Sequence, residues 1–123
     1  KDVTIVTWGA MVHVALEAAE KAVKRGIEAE IVDLRTILPF DAQTCINSVR
    51  RTGHLIVLQE AQYTGGLGHT VSSRILEEAF WNLENAPVVI GALDTPVPFS
   101  PPLEDHTIPS SDYVVRHIRR MCE

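Results

Sequence analysis

Short apolar runs alternate along the chain with longer segments in which apolar residues recur at helical spacing. The short runs are rich in β-branched residues and predict strands over Val3 to Trp8, Ala29 to Leu34, Leu55 to Leu58 and Val88 to Ala92. The third run is continuously apolar, which is typical of a strand covered on both faces. The pattern therefore predicts a sheet whose central strands are buried.

The segments between the strands have the apolar periodicity of amphipathic helices. The first helix is predicted to end at Arg25 and Gly26, a cation followed by a residue suited to a left-handed cap. Asp41 is a good N-cap for the second helix, which carries Cys45 on its apolar face. The third helix is predicted to bury Val71, Ile75, Leu76, Ala79, Phe80 and Leu83. Ser110 or Ser111 caps the last helix.

Alternation of strands and helices predicts an α/β fold, with a mainly parallel sheet between two layers of helices. Right-handed crossovers favour the strand order 2-1-3-4. Residues 94–109 contain five prolines and are predicted to be irregular. The length of 123 residues and the absence of an internal boundary indicate one domain over residues 1–123. The chain starts at Lys1 almost directly before a strand, which suggests a fragment of a longer or processed chain.

Composition narrows the possible functions. The net charge of −5 argues against a nucleic-acid partner, since such proteins usually carry a basic surface. No apolar run approaches the roughly 20 residues that span a bilayer, so no membrane partner is expected. The two cysteines show no metal-ligand spacing, and Cys45 is expected to be a buried free thiol.

The carboxyl ends of the strands form the default ligand site of an open parallel sheet. Here the predicted crevice lies between the first and third strands, lined by Gly9 and Ala10 on one side and by Glu60, Gly65 and Gly66 on the other. Helix amino termini at this place could hold a small anion. Glu60 is the best-placed carboxylate, but a role as a turn ligand to the glycine loop is slightly favoured over catalysis.

The glycine loop itself is a weak nucleotide signal. The run from Gly66 to Val71 reads G-x-G-x-x-V and lacks the third glycine of the dinucleotide fingerprint, and there is no phosphate-loop motif. A tight strand-to-helix turn is the favoured interpretation. The residues alone predict no catalytic set, no cofactor ligands and no metal ligands.

Several blocks occur in order along nearly the whole chain: Asp2 to His13, Glu30 to Asp41, Ser48 to His54, Gln59 to Gly66, Ala86-Pro87 and Asp94 to Pro98. The Asp-Leu-Arg-Thr and Glu-Ala…Thr-Gly-Gly motifs within them are specific. Together they resemble the carboxy-terminal, transketolase C-terminal-like domain of the beta subunit of thiamine-diphosphate-dependent 2-oxoacid dehydrogenases.

This resemblance implies a domain that assembles a larger enzyme and has no activity alone. In such enzymes thiamine diphosphate and magnesium bind outside this domain, between an alpha-subunit domain and the first beta-subunit domain. The implied partners are a second beta subunit across a two-fold axis, the alpha subunit in an alpha2-beta2 tetramer, and the subunit-binding domain of the dihydrolipoyl acyltransferase. The implied location is the mitochondrial matrix in a eukaryote and the cytoplasm in a bacterium.

The resemblance also suggests where the acyltransferase docks. Similar proteins commonly place an acidic residue directly before the Ala-Pro pair, where it contacts the partner's arginines. That position holds Asn85 here, and Glu84 precedes it. The docking role is therefore carried over to Glu84 and Asn85 as a hypothesis.

The substrate type is the least specific part of the resemblance. Trp8-Gly9 and Asp33 to Thr36 look more like branched-chain enzymes, whereas Leu103 to Asp105 and Ile108-Pro109 look more like pyruvate or acetoin enzymes. A branched-chain 2-oxoacid is favoured. The alternatives are a pyruvate or acetoin dehydrogenase beta subunit, another thiamine enzyme such as a transketolase, or a small-anion-binding regulatory module.

Overall fold

A computed structural model describes all residues, 1–123. It has four strands and five helices. In chain order they are β1 (Val3–Thr7), α1 (Met11–Val23), β2 (Ala29–Asp33), α2 (Ala42–Thr52), β3 (Leu55–Gln62), α3 (Leu67–Ala79), β4 (Val88–Ala92), α4 (Pro101–Thr107) and α5 (Ser111–Cys122). A short 3-10 turn over Phe80–Asn82 follows α3.

The strands form one sheet in the order β2-β1-β3-β4, and every neighbouring pair is parallel. This confirms the predicted order 2-1-3-4. In the centre of the sheet, Ile5 of β1 lies beside Ile31 of β2 and Ile56 of β3. All carboxyl ends of the strands therefore meet at one edge of the sheet, and all amino ends meet at the opposite edge.

Each face of the sheet is covered by two helices, as predicted for a three-layer α/β/α fold. Ile5 packs with Ala15 of α1 and Ile118 of α5 in one buried cluster. Its neighbour Val6 packs with Ile46 of α2 and Ile75 of α3 in another. Because successive strand residues point to opposite faces, α1 and α5 cover one side of the sheet while α2 and α3 cover the other.

Local signals set the ends of α2. The Asp41 side chain accepts a hydrogen bond from the Thr44 backbone N–H at 3.1 Å, which confirms the predicted N-cap. Gly53 follows the helix with φ of 73°, a left-handed conformation that glycine adopts without strain. Its backbone N–H closes the last turn onto the Val49 carbonyl.

The structure corrects the predicted irregular segment after β4. Pro101 and Pro102 begin α4 instead of preventing a helix. Proline is tolerated there because the first helical N–H groups have no intrahelical partner and the fixed φ suits the first turn. The third strand is also longer than predicted and runs to Gln62, because Gln62 pairs with Ala92 after an irregularity in the ladder.

Phe80 was predicted to face the core, and the structure shows that this is wrong. The α-helix ends at Ala79, and Phe80 starts the 3-10 turn with 55% of its surface exposed. A 3-10 turn has about three residues per turn, so the apolar stripe of the α-helix does not continue through it. Leu83, from the same predicted stripe, does pack against the α2–α3 core.

Candidate functional site

At the carboxyl end of the sheet, a buried glutamine organises the glycine loop. Gln59 has no solvent-exposed surface. Its Nε2 atom donates to the Gln62 carbonyl at 2.9 Å, and its Oε1 atom accepts from the Gly68 backbone N–H at 2.6 Å. The amide thus binds the first turn of α3 to the end of β3 and satisfies one of the free N–H groups of that helix.

The nearby glycines leave room for this amide. A Cβ atom on Gly66 would lie 1.9 Å from Gln59 Nε2, and one on Gly68 would lie 2.7 Å from Gln59 Oε1. A Cβ on Gly91 of β4 would lie 2.9 Å from the same Nε2 atom. The glycines are therefore explained by close packing in a strand-to-helix turn, the interpretation favoured from the sequence.

Glu60 does not have the turn-ligand role that the sequence suggested. Its side chain is exposed and makes no hydrogen bond within the chain, while the preceding residue, Gln59, holds the loop. The pleat of β3 explains the difference, because consecutive strand residues point to opposite faces. Glu60 instead borders a surface cavity of about 270 Å³ that Glu104 also lines. Sequence reasoning missed Gln59, although a glutamine directly after a continuous apolar strand was a visible signal.

The other predicted crevice residues lie where the sequence placed them, at the carboxyl ends of the strands. Gly9 and Gly65 have φ of 61° and 74°, and both are exposed, as is Ala10 before α1. Between them the Thr7 hydroxyl donates to the Leu58 carbonyl at 2.9 Å and joins the end of β1 to β3. Ligand binding in this crevice stays a prediction.

A second hydrogen-bonded link stabilises the loop on the β4 side. Asp94 accepts from the Thr64 backbone N–H at 2.9 Å and also from its hydroxyl. These bonds, the hydroxyl first, lower the pKa of the Asp94 carboxyl. The Thr7, Gln59, Thr64 and Asp94 side chains at the carboxyl end of the sheet are thus all hydrogen-bonded within the chain.

At the amino end of the sheet, the two residues proposed for partner docking are exposed. The Glu84 backbone N–H donates to the Gly53 carbonyl at 2.9 Å, and the Asn85 side chain donates to the Met121 carbonyl at 3.1 Å. These bonds fix the loop before β4 against α2 and α5. Sequence reasoning could not foresee either bond, because the partners are distant in the chain.

His54 lies directly beside the Glu84 carboxylate. The residue is 8% exposed, its Nδ1 atom lies 2.8 Å from the Asp2 carbonyl, and its Nε2 atom lies 3.7 Å from Glu84 Oε2. A carbonyl only accepts, so Nδ1 is the donor, and in the neutral ring the unprotonated Nε2 faces Glu84. His54, Glu84 and Cys122 share the lining of a cavity of about 430 Å³.

Glu84 has no lysine or arginine within salt-bridge distance, in contrast to three other carboxylates. Glu30 pairs with Arg51 at 2.7 Å, and Arg74 pairs with both Glu77 and Glu78. The only cation-forming side chain within 4.0 Å of its carboxylate is that of His54, although Lys1 and Arg51 line the same cavity. Its negative charge therefore remains available to an external cation.

The buried thiol and the possible metal ligands are the remaining candidate groups. Cys45 is buried, as predicted, and burial raises the pKa of its thiol to about 11. No three His, Cys, Asp or Glu side chains come together in a way that could hold a metal ion. None of the helices combines the length and the apolar character needed to cross a membrane.

Comparison with known proteins finds relatives of one type, beta subunits that contain a transketolase C-terminal domain. The sequence matches the family described as "Transketolase, C-terminal domain" over residues 1–114. It is 47% identical over 98% of the chain to the acetoin:2,6-dichlorophenolindophenol oxidoreductase subunit beta of Cupriavidus necator, of which it covers 36%. It is 43% identical over 99% of the chain to the pyruvate dehydrogenase E1 component subunit beta of Bacillus subtilis, of which it covers 37%.

A solved structure shares the fold. It is described as a split gene transketolase, inactive beta4 tetramer, with a TM-score of 0.81 and 32% identity over 99% of this chain and 38% of that one. The chain thus spans a little over a third of the length of these relatives. The relatives named here are of the acetoin and pyruvate type, so they do not support the preference for branched-chain substrates. The match along nearly the whole chain and the shared fold show that this chain belongs to the transketolase C-terminal domain family.

Proposed function

We propose that this chain is the carboxy-terminal domain of the beta subunit of a thiamine-diphosphate-dependent dehydrogenase of the pyruvate or acetoin type. The observation that carries the proposal is the 47% and 43% identity to beta subunits of that type over 98% and 99% of the chain. The proposed substrate is pyruvate or acetoin, as in these relatives, and not a branched-chain 2-oxoacid. The alternative from the sequence thus becomes the main hypothesis.

In the parent enzyme of this proposal, a 2-oxoacid such as pyruvate would be oxidatively decarboxylated and its acyl group passed to lipoamide. Thiamine diphosphate and magnesium would supply that chemistry from outside residues 1–123. The proposed contribution of this domain is assembly and partner docking.

The apolar surface at the carboxyl end supports the assembly role. Val97, Phe99 and Leu103 are largely exposed, and the Phe99 side chain is completely so. Apolar groups clustered on a loop and a short helix are typical of protein contacts. In the proposal this surface belongs to the assembled enzyme, which contains a second beta subunit and the alpha subunits of an alpha2-beta2 tetramer.

The free carboxylate at the amino end supports the docking role. Glu84 is exposed and without a lysine or arginine partner, and Asn85 lies beside it at the surface. The proposed partner is the basic subunit-binding domain of the dihydrolipoyl acyltransferase. A cationic partner would gain both specificity and association rate from such a carboxylate.

Steady-state kinetics of the full-length beta subunit assembled with its alpha subunit would test the substrate. We expect kcat/KM for pyruvate or acetoin to exceed that for a branched-chain 2-oxoacid by at least about tenfold, equivalent to about 1.4 kcal/mol of discrimination. A preference for the branched-chain substrate would overturn this part of the proposal.

Titration of the assembled enzyme with the subunit-binding domain would test docking. Glu84→Lys should weaken the complex, since it places a positive charge opposite a basic partner. Glu60→Lys is the matched control, because it makes the same charge change on an exposed side chain at the opposite end of the sheet. Equal dissociation constants for the two variants would refute docking at Glu84.

A further inference from the structure

Two aromatic side chains at the amino end have no role in the core. Trp81 is 92% exposed and Phe80 is 55% exposed. Their rings pack edge to face, with centroids 5.0 Å apart and planes at 83°. Exposed tryptophan is unusual because burial of large aromatic rings is strongly favourable, and tryptophan is enriched at the energetic centres of protein interfaces.

The backbone joins this aromatic pair firmly to the proposed docking carboxylate. The pair lies on the 3-10 turn between α3 and β4, and Glu84 follows almost immediately. The Leu83 N–H donates to the Phe80 carbonyl at 3.2 Å, and the Glu84 N–H donates to the Gly53 carbonyl at 2.9 Å. Leu83 itself packs against the core. The aromatic pair and Glu84 thus lie on one short segment, residues 80–84, whose backbone is hydrogen-bonded to Gly53 at the end of α2.

The charges around the pair favour a cationic partner. Glu77 and Glu78 precede it on α3 and share one partner, Arg74, which leaves one net negative charge. Glu84 carries the one carboxylate on this loop that lacks an arginine or lysine. Because Glu84 follows Trp81 by three residues, a partner's lysine or arginine that pairs with Glu84 could also lay its aliphatic stem on the exposed indole ring, where cation–π attraction adds to apolar contact.

We propose that Phe80 and Trp81 are the apolar anchor of a docking surface for a basic protein domain, with Glu84 as its charged contact. This inference rests on the proposed docking at Glu84 and extends it to the residues that supply most of the binding energy. Trp81 is the central residue, because its ring is almost entirely accessible before the partner binds. Association would bury that ring against the alkyl part of basic side chains.

The test uses the full-length beta subunit assembled with its alpha subunit, titrated by calorimetry with the subunit-binding domain of the acyltransferase. Trp81→Ala should weaken binding by about tenfold or more, as expected for a hot-spot tryptophan. Trp81→Phe should recover part of the affinity. Leu38→Ala is the matched control, because Leu38 is as exposed as Trp81 but lies at the opposite end of the sheet, in the loop after β2, and it should leave the dissociation constant unchanged.

The combination of variants separates the two proposals. If Glu84→Lys weakens binding and Trp81→Ala does not, docking at Glu84 stands and the aromatic anchor is wrong. If Trp81→Ala alone weakens binding, the anchor stands and the carboxylate assignment is wrong. If Trp81→Ala changes the mass of the assembled enzyme in light scattering, the rings contact another subunit and the proposed anchor is refuted.

Discussion

At the carboxyl end of the sheet, Gln59 and Asp94 bond to the chain's own loops, whereas at the amino end Glu84 points its charge at solvent. The carboxyl end is where ligands are usually found in open parallel sheets. In this domain the Gln59 and Asp94 side chains at the carboxyl end make hydrogen bonds that hold loops in place. The amino end, normally the less functional side, carries the free carboxylate and the exposed aromatic pair.

The difference shows that a fold's usual ligand position does not by itself locate function. Gln59 satisfies the α3 N–H group that would otherwise be available to an anion. Glu84 is held in place by a backbone hydrogen bond and leaves its side chain unpaired by lysine or arginine. Most polar groups of a folded protein have a hydrogen-bond partner within the protein. A charged group that lacks one therefore indicates where another molecule can bind.

The largest effect is expected at the carboxyl end, from Gln59→Ala. This change leaves the Gly68 N–H without its acceptor and opens a void among the glycines, so we expect a loss of about 2–4 kcal/mol of unfolding free energy. Glu60→Ala, at the adjacent exposed position, should change it by less than about 0.5 kcal/mol. Denaturant unfolding measures both. Similar values for the two variants would show that the amide does not hold the loop.

A smaller effect is expected at the amino end, from Thr4→Val. The buried Thr4 hydroxyl bonds to Ser48 at 2.7 Å and to Thr52 at 2.8 Å, so its removal leaves two buried hydroxyls with fewer partners. We expect a loss of about 1–2 kcal/mol in denaturant unfolding. Thr70→Val, at an exposed helical position, is the control and should be nearly neutral. A neutral Thr4→Val would mean that this end tolerates unpaired hydroxyls.

The Arg51–Glu30 ion pair at the amino end should contribute still less. Arg51 is mostly exposed, so Arg51→Ala should cost at most about 1 kcal/mol, and less in high salt. Arg51 lowers the pKa of the Glu30 carboxyl. The stabilisation is therefore present above the unfolded-state pKa and is lost as the pH falls through the folded-state value. Unfolding of wild type and variant at neutral and acidic pH should converge in acid; a constant difference would contradict the ion-pair explanation.

The smallest effect should come from Asp94→Asn at the carboxyl end, visible mainly as a pH dependence. Hydrogen bonds from Thr64 lower the pKa of Asp94, so its contribution exists above the unfolded-state pKa and disappears as the pH falls through the lower folded-state value. Wild type should lose this part of its stability in acid, and the variant should not. Asp105→Asn, at an exposed position without a hydrogen-bond partner, is the control and should follow wild type.

Much of the fold could be predicted because its signals are local. The strand positions, the Asp41 cap and the strand order all follow from short-range patterns and from the handedness of crossovers. The predictions of secondary structure were wrong at two places where the local sequence pattern did not match the backbone. The proline-rich segment after β4 was predicted to be irregular, but Pro101 and Pro102 begin α4. The helical stripe was extended through Phe80, which lies on a tighter turn.

The candidate site was predicted less completely, because its residues depend on contacts between distant parts of the chain. The positions of Gly9, Gly65 and Gly66 followed from topology. The function of the glycine turn depended on Gln59, which the sequence did not single out. The preference for branched-chain substrates rested on short blocks, and the relatives matched over nearly the whole chain, which are of the acetoin and pyruvate type, do not support it.

The sequence by itself determined the α/β class, the order of the elements and membership of this type of domain, because apolar periodicity, caps and motif blocks are encoded in neighbouring residues. The tertiary structure decided which polar groups are bonded internally and which face solvent. It brought Gln59 against three glycines, His54 against Glu84, and Trp81 to the surface. These outcomes depend on long-range packing of strands and helices, which a local pattern does not encode.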